Sequence, residues 1–90
     1  MGDLETRRRR AQWRAEHRGT KEMDLLLGRF ASDAIPVMDD AALSRFEAFL
    51  QLQDPELQRW ILNGEACPAE AKPLVDAVRA FHGLGETAAT

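Results

Sequence analysis

Residues 20–31 read TKEMDLLLGRFA, and this stretch decides the fold class. Its large apolar side chains recur at offsets 0, 3, 4 and 7: Met23, Leu26, Leu27 and Phe30. This spacing is typical of an amphipathic helix that buries one face against a neighbour. Glu22 falls in the first turn, where the exposed backbone amides favour a carboxylate. The pattern therefore predicts a helix over residues 20–31.

The flanking sequence predicts four more short helices, over residues 4–16, 40–52, 54–63 and 73–82. The first has a thin apolar stripe: Leu4, Ala11, Trp13 and Ala15. The core candidates of the whole protein are Leu26, Leu27, Phe30, Phe46, Leu50, Leu57, Trp60 and Ile61. Strand signals are nearly absent, since Tyr is missing and no stretch alternates apolar and polar residues for long.

The connections follow from glycine, proline and capping residues. Gly19 ends the first helix, because glycine accepts a positive φ or a close backbone approach without strain. Asp39 and Asp40 offer N-caps to the third helix, and Asp54-Pro55 combines an N-cap with proline at the first helical position. Ile35-Pro36 predicts an extended connector, since a residue before proline is pushed out of the α region.

These elements predict an all-α fold, a compact bundle of five short helices in a single domain of residues 1–90. Residues 4–84 should form the ordered bundle and residues 85–90 a frayed tail. No apolar run exceeds three residues, the length of Leu25–Leu27, which excludes a transmembrane helix of about 20 residues. No apolar segment follows the basic N-terminus, which argues against a secretory signal peptide.

Positive charge is concentrated near the N-terminus of an acidic protein. Residues 1–21 carry seven basic and three acidic side chains, whereas residues 22–90 carry five basic and twelve acidic ones. The run Arg7–Arg10 has two interpretations: a solvated helical face, or a site for nucleic acid or another anion with Trp13 as a stacking partner. The pI of about 5.3 argues against nucleic acid.

The cysteine and histidine residues, types that act as nucleophiles or metal ligands in many enzymes, do not predict an enzyme here. Cys67 is the only cysteine, so an intrachain disulfide is excluded, and the thiol is interpreted as a loop residue before Pro68. With His17 and His82 it makes three scattered candidates, without the paired spacing of a zinc site. His17 is expected to pack or hydrogen-bond, and His82 to cap a helix.

The segment Arg18-Gly19-Thr20-Lys21-Glu22 is a candidate for presenting a surface to a partner. Glycine leaves the backbone bare, arginine offers a forked donor, and Glu22 can orient that arginine or accept from partner amides. A plain turn between two helices explains the same residues without any partner. The spacing alone leaves both interpretations open, and the turn is the commoner one.

This segment resembles the Arg-Gly-x-x-Glu motif of the small succinate dehydrogenase assembly factors, which promote covalent flavinylation of the flavoprotein subunit. The resemblance continues through Phe30, the acidic pair Asp39-Asp40, then Phe46 and Leu50, Asp54-Pro55-Glu56-Leu57, and Trp60-Ile61-Leu62, and it covers about residues 7–80. The five-residue motif alone is weakly specific, whereas the set is fairly specific. Met23 stands where members often have leucine, and the arginine run is denser than usual.

The resemblance implies a five-helix chaperone that binds the flavoprotein subunit of succinate dehydrogenase, in bacteria often that of fumarate reductase too. It implies that FAD becomes bonded to a histidine of that client, so the factor needs neither a nucleophile nor a cofactor of its own. It places Arg18, Gly19 and Glu22 at the client contact. The flanking residues on the basic patch would be Trp13, Arg14, His17 and Lys21.

Two other functional classes stay open, a small nucleic-acid-associated regulator and a generic helical interaction module. On the favoured interpretation the protein binds no nucleic acid, does not insert into membranes and is a monomer when free. Asp3 and Glu5 argue against a mitochondrial presequence, and no spare segment is expected before the motif helix. We therefore expect a bacterial cytoplasmic protein rather than one of the mitochondrial matrix.

Overall fold

A computed structural model describes residues 3–85. Those residues form five α-helices and one 3₁₀ turn, with no strand among them: α1 (Asp3–Glu16), α2 (Lys21–Ala34), the turn Ile35–Val37, α3 (Asp40–Leu50), α4 (Asp54–Ile61) and α5 (Lys72–Phe81). The prediction of an all-α protein with five short helices is confirmed. Residues 86–90 of the predicted tail lie outside the described residues. No helix within residues 3–85 is long and apolar enough to cross a membrane.

The helices group into two compact units, one ending at Gln51 and the other beginning at Leu52. The first unit contains α1, α2, the 3₁₀ turn and α3, and the second contains α4 and α5. The single domain expected from the sequence stays a prediction.

In the first unit, α1 packs against α2 and α3. The predicted core residue Leu26 is only half-buried. The buried apolar side chains of the first unit are Ala11, Ala15, Met23, Leu27, Phe30, Ala31, Ile35, Met38, Leu43, Phe46, Phe49 and Leu50. The helix α1 contributes small alanines, so α2 approaches it closely. A Cβ built on Gly28 would lie 3.0 Å from Cγ of Glu16. The rings of Phe30 and Phe46 join α2 to α3, with centroids 5.9 Å apart.

Side-chain caps begin two of these helices, one of them as predicted. The Asp39 carboxylate accepts from the Ala42 amide at 2.9 Å, and the Thr20 hydroxyl accepts from the Met23 amide at 3.2 Å. Each cap satisfies an amide that has no partner within its own helix.

The extended connector predicted at Ile35-Pro36 is wrong. The helix α2 continues to Ala34 instead of ending at Ala31, and Ile35 has helical angles of φ −58° and ψ −42°. The Ile35 side chain is buried, and its carbonyl accepts from the Met38 amide at 3.0 Å. Burial and this hydrogen bond outweigh the local preference of a residue before proline.

In the second unit, α4 begins at Asp54, but the predicted N-cap is wrong by one residue. The N-cap is Gln53, because its carbonyl accepts from the amides of Glu56 and Leu57, each at 3.1 Å. Asp54 and proline lie in the first turn instead. The buried apolar residues of this unit are Leu57, Trp60, Ile61, Ala71, Val75 and Val78.

Arg79 is the buried charged residue of the second unit, and the sequence did not predict its burial. Its guanidinium donates to three backbone carbonyls: those of Ile61, of Leu84 at 2.6 Å and of Gly85 at 2.9 Å. The side chain of α5 thus ties down both the end of α4 and the segment that follows α5.

Candidate functional site

The turn between α1 and α2 is built around Gly19. Its φ is +118°, a conformation that side-chain-bearing residues rarely adopt. A Cβ built there would have no atom within 4 Å, so the space above the backbone is open. Of the two properties of glycine considered from the sequence, a positive φ and a close backbone approach, the structure shows the positive φ.

Arg18 holds this turn in place. Its backbone amide donates to the Asp24 carboxylate at 2.5 Å, and its guanidinium Nη1 donates to the Leu50 carbonyl at 2.7 Å. The first bond ties the turn to α2, and the second ties it to the last residue of α3. Sequence reasoning missed both partners. The available signal for Asp24 was a second acidic residue in the first turn of α2, and the carbonyl of Leu50 gives no sequence signal.

Trp13 and His17 form a stacked aromatic pair on α1, immediately before the turn. Their ring centroids lie 4.1 Å apart with an interplanar angle of 14°. His17 Nδ1 lies 2.8 Å from the Trp13 carbonyl, which only accepts, so Nδ1 carries the proton. His17 therefore packs and hydrogen-bonds as predicted. The apolar-stripe assignment of Trp13 is wrong, because its side chain is 60% exposed while Ala11 and Ala15 face the core.

The remaining predicted site residues also lie around the turn. Lys21 and Glu22 occupy the first turn of α2, and Arg14 lies in the last turn of α1. All three side chains are exposed. The seven predicted residues therefore lie on consecutive segments of the chain: the end of α1, the turn and the start of α2. Their role in binding a client stays a prediction.

The arginine run does not form the single solvated face considered from the sequence. Arg7 donates to Asp40 at 2.7 Å, Ser44 at 2.9 Å and Glu47 at 3.0 Å and 3.2 Å. The hydrogen bonds to Glu47, and then those to Asp40, raise the Arg7 pKa above its ordinary value. Arg8 donates to the Met38 carbonyl at 2.8 Å.

Arg9 and Arg10 are the exposed half of the run. Within residues 3–85 neither makes a hydrogen bond or an ion pair. The run therefore combines two cations that attach α1 to the rest of its unit with two that are open to a partner.

Cys67 and His82 lie in the second unit, away from the motif in sequence. Burial, with a smaller contribution from Asp76, raises the pKa of the Cys67 thiol. His82 is the C-cap residue of α5 and meets the Phe81 ring edge-on at 4.9 Å. In the described part of the chain no three His, Cys, Asp or Glu residues are placed to hold a metal ion.

The comparisons with known proteins agree with the motif. The family described as "flavinator of succinate dehydrogenase" matches residues 9–82. An FAD assembly factor SdhE from Acetobacter pasteurianus is 39% identical over 74 residues, which are 81% of this chain and 68% of that protein. An FAD assembly factor SdhE from Legionella pneumophila strain Paris is 31% identical over 70 residues, 78% of this chain and 87% of that protein.

A mitochondrial relative is longer than the matched region. Succinate dehydrogenase assembly factor 2 from Dictyostelium discoideum is 33% identical over 70 residues, which cover 78% of this chain and 50% of that protein. No solved structure matches the chain. These matches give no support to the regulator and generic-module alternatives. The chain belongs to the family of flavinators of succinate dehydrogenase.

Proposed function

We propose that this protein is an assembly chaperone that binds the flavoprotein subunit of succinate dehydrogenase and promotes covalent attachment of FAD to it. The observation that carries the proposal is the family match across residues 9–82. Relatives named FAD assembly factor and succinate dehydrogenase assembly factor agree with it. The flavoprotein subunit of fumarate reductase is a second proposed client.

The proposed client contact is the turn with its flanks. Gly19 supplies an open backbone, and the bonds from Arg18 to Asp24 and Leu50 fix the turn before a partner arrives. A preformed surface loses less conformational entropy on binding than a flexible one. The contact residues are Arg18, Gly19 and Glu22, flanked by Trp13, Arg14, His17 and Lys21.

The chaperone acts without a catalytic group or cofactor of its own. The groups that form the bond belong to the client and its FAD, and the helper favours the client conformation in which they meet. That shift requires only a higher affinity for the productive conformer. Holding reacting groups in position lowers a reaction barrier by several kcal/mol. The raised pKa of Cys67 agrees with a thiol that takes no part.

The remaining features of the proposal concern where and with what the protein works. It acts as a monomer when free, binds no nucleic acid and works at the surface of its client in the bacterial cytoplasm. Bacterial relatives support that compartment, although mitochondrial relatives also exist.

Covalent flavin incorporation tests the proposal directly. The flavoprotein subunit is expressed in cells lacking this protein, and wild type, Arg18→Ala or Gly19→Arg is supplied back. In-gel fluorescence after denaturation reports only covalently held FAD. We expect wild type to restore the fluorescence, and Gly19→Arg to fail while its circular dichroism spectrum stays helical.

Gly83→Arg is the matched control, because Gly83 also has a positive φ, +74°, and also has no atom within 4 Å of its Cβ position. It adds the same side chain at an equally open turn outside the motif, so flavinylation should be retained. Equal fluorescence with and without wild type overturns the proposed function. Equal loss in both glycine variants assigns the effect to general strain instead of the motif surface.

A further inference from the structure

The outer face of α1 carries four exposed side chains in one stripe. Arg10, Trp13, Arg14 and His17 recur at offsets 0, 3, 4 and 7, the spacing of a single helical face. The buried alanines of α1 lie on a different face. Neither Arg10 nor Arg14 makes a hydrogen bond or an ion pair within residues 3–85. The stripe thus presents two available guanidinium groups beside a fixed aromatic stack.

A surface cleft adjoins this stripe. Its volume is about 210 Å³, and its lining comes from α1 and the end of α3: Arg10, Ala11, Arg14, Glu47, Leu50 and Gln51. The acidic lining residue is already neutralised, since Glu47 is bound by Arg7 at 3.0 Å. The Leu50 carbonyl is likewise occupied by Arg18. Among the described residues, the cleft therefore has two unpaired guanidinium groups, those of Arg10 and Arg14, while the Glu47 carboxylate and the Leu50 carbonyl already have partners.

The size and chemistry of the cleft determine what it can take. Ligand and cofactor pockets measure about 300–1,000 Å³, so this cleft is too small for a whole dinucleotide such as FAD. It is large enough for the side chains of a peptide. Guanidinium groups pair with carboxylates through two parallel hydrogen bonds, and arginines one helical turn apart match two carboxylates of an extended or helical segment.

We propose that this cleft binds an acidic segment of the client flavoprotein, with Arg10 and Arg14 pairing its carboxylates and Trp13 covering its apolar edge. The inference rests on the proposed function and adds Arg10 and the chemistry of the partner to it. Charge complementarity selects an anionic occupant, because the cations at the cleft that are unpaired within residues 3–85 outnumber its unpaired carboxylates. A short acidic segment places its charges at the cleft, whereas a nucleic acid extends beyond it and would also meet the excess acidic charge of residues 22–90.

The test measures the affinity of the purified flavoprotein subunit for wild type and for double variants of this protein in which two arginines are replaced by glutamate. Arg10→Glu/Arg14→Glu removes the proposed contacts. Arg9→Glu/Arg45→Glu is the matched control, because both of its arginines are exposed, neither makes a hydrogen bond or ion pair within residues 3–85, and the change in net charge is the same. We expect the first pair to weaken binding at least about tenfold in low salt, with the loss shrinking as salt screens the charges.

The control pair should change the affinity by less than about twofold. If both pairs weaken binding equally, the proposed cleft contact is overturned, because the change in net charge alone would explain the result. If Arg10→Glu/Arg14→Glu leaves binding unchanged, the proposed contact is also overturned. A hexaglutamate peptide should compete with the subunit for wild type. Competition by single-stranded RNA and not by hexaglutamate also contradicts the inference. If wild type fails to bind the subunit or to restore flavinylation, the proposed function itself fails, which is a separate result.

Discussion

Arg18 of the Arg-Gly-x-x-Glu motif donates a hydrogen bond of 2.7 Å to the carbonyl of Leu50, the last residue of α3. A cation at this position satisfies a carbonyl that has no partner within its own helix and complements the negative end of the helix dipole. The motif arginine therefore has a structural role within its own chain. A functional assay of an Arg18 substitution therefore measures two effects together, the loss of the hydrogen bond to Leu50 and the loss of any contact with a partner.

Arg18→Ala should lower the free energy of unfolding, because it leaves the Leu50 carbonyl without this charged donor. We expect a loss of about 1–2 kcal/mol, and a smaller loss for Arg18→Lys, which keeps the charge. Urea unfolding followed by circular dichroism measures both. Arg45→Ala removes an exposed arginine from α3 and should leave the midpoint unchanged. An Arg18→Ala midpoint equal to that of wild type would contradict the structural role.

Arg7 and Arg9 should differ sharply although they lie two residues apart. Arg7→Gln removes the contacts to Asp40, Ser44 and Glu47 and should lower the unfolding midpoint. Arg9→Gln should have no effect. Because the network is partly exposed, the difference should shrink in high salt. Thermal unfolding of both variants at two salt concentrations checks this, and a difference that does not depend on salt would argue against an electrostatic cause.

The sequence predicted the elements whose signals are local. Helical spacing found five helices, glycine predicted the turn at Gly19, and an aspartate predicted the cap at Asp39. The missed features depend on distant partners. Arg7 finds its acidic partners 33 and 40 positions away, and Arg18 binds a backbone carbonyl 32 positions away. No helical spacing and no motif in the sequence would predict either set of contacts.

Local rules also fail where burial opposes them. Ile35 precedes proline yet is helical, because its side chain is buried. Trp13 was assigned to the apolar stripe, yet Ala11 and Ala15 are the buried residues of α1 and the Trp13 side chain is 60% exposed. For the candidate site, the seven residues named from the sequence lie together around the turn, and their role in binding a client stays a prediction. The sequence did not predict that Arg18 is anchored internally or that Trp13 stacks on His17.

Gly28 sets how closely α1 and α2 approach. An alanine Cβ there would lie 3.0 Å from Cγ of Glu16 and 3.5 Å from its Cα. The flexible Glu16 side chain can move, so Gly28→Ala should be nearly neutral, because the gain in helix propensity offsets the crowding. Gly28→Val adds methyl groups toward the backbone of α1 and should destabilise by about 2 kcal/mol.

A second substitution tests this explanation of Gly28. In a Glu16→Ala background the crowding atom is absent, so adding Gly28→Ala should stabilise the protein by about 1 kcal/mol relative to Glu16→Ala alone. Urea unfolding of the four proteins completes the double-mutant cycle. A cycle without coupling would show that Glu16 does not limit the approach of the two helices.

Cys67 should react slowly with alkylating agents at neutral pH. Burial raises the thiol pKa first, and the Asp76 carboxylate raises it further, so the reactive thiolate is scarcer than in a free cysteine at the same pH. The alkylation rate should therefore rise at a higher pH than for the urea-unfolded chain. Asp76→Asn removes the negative charge but keeps Lys72, and it should shift the profile to lower pH. An unchanged profile would leave burial as the whole cause.

Arg79 gives the largest stability effect we expect. Arg79→Met keeps an unbranched apolar stem but leaves the carbonyls of Ile61, Leu84 and Gly85 without this donor, which should cost about 2–4 kcal/mol. Arg59→Met is the matched control in the same unit. The Arg59 side chain is half exposed and its ion pair with Glu65 is long, at 3.6 Å, so this substitution should cost little stability. Trp60 fluorescence in a Trp13→Phe background reports unfolding of the second unit. Equal stability of the two methionine variants would mean that the three carbonyls find other donors, such as water.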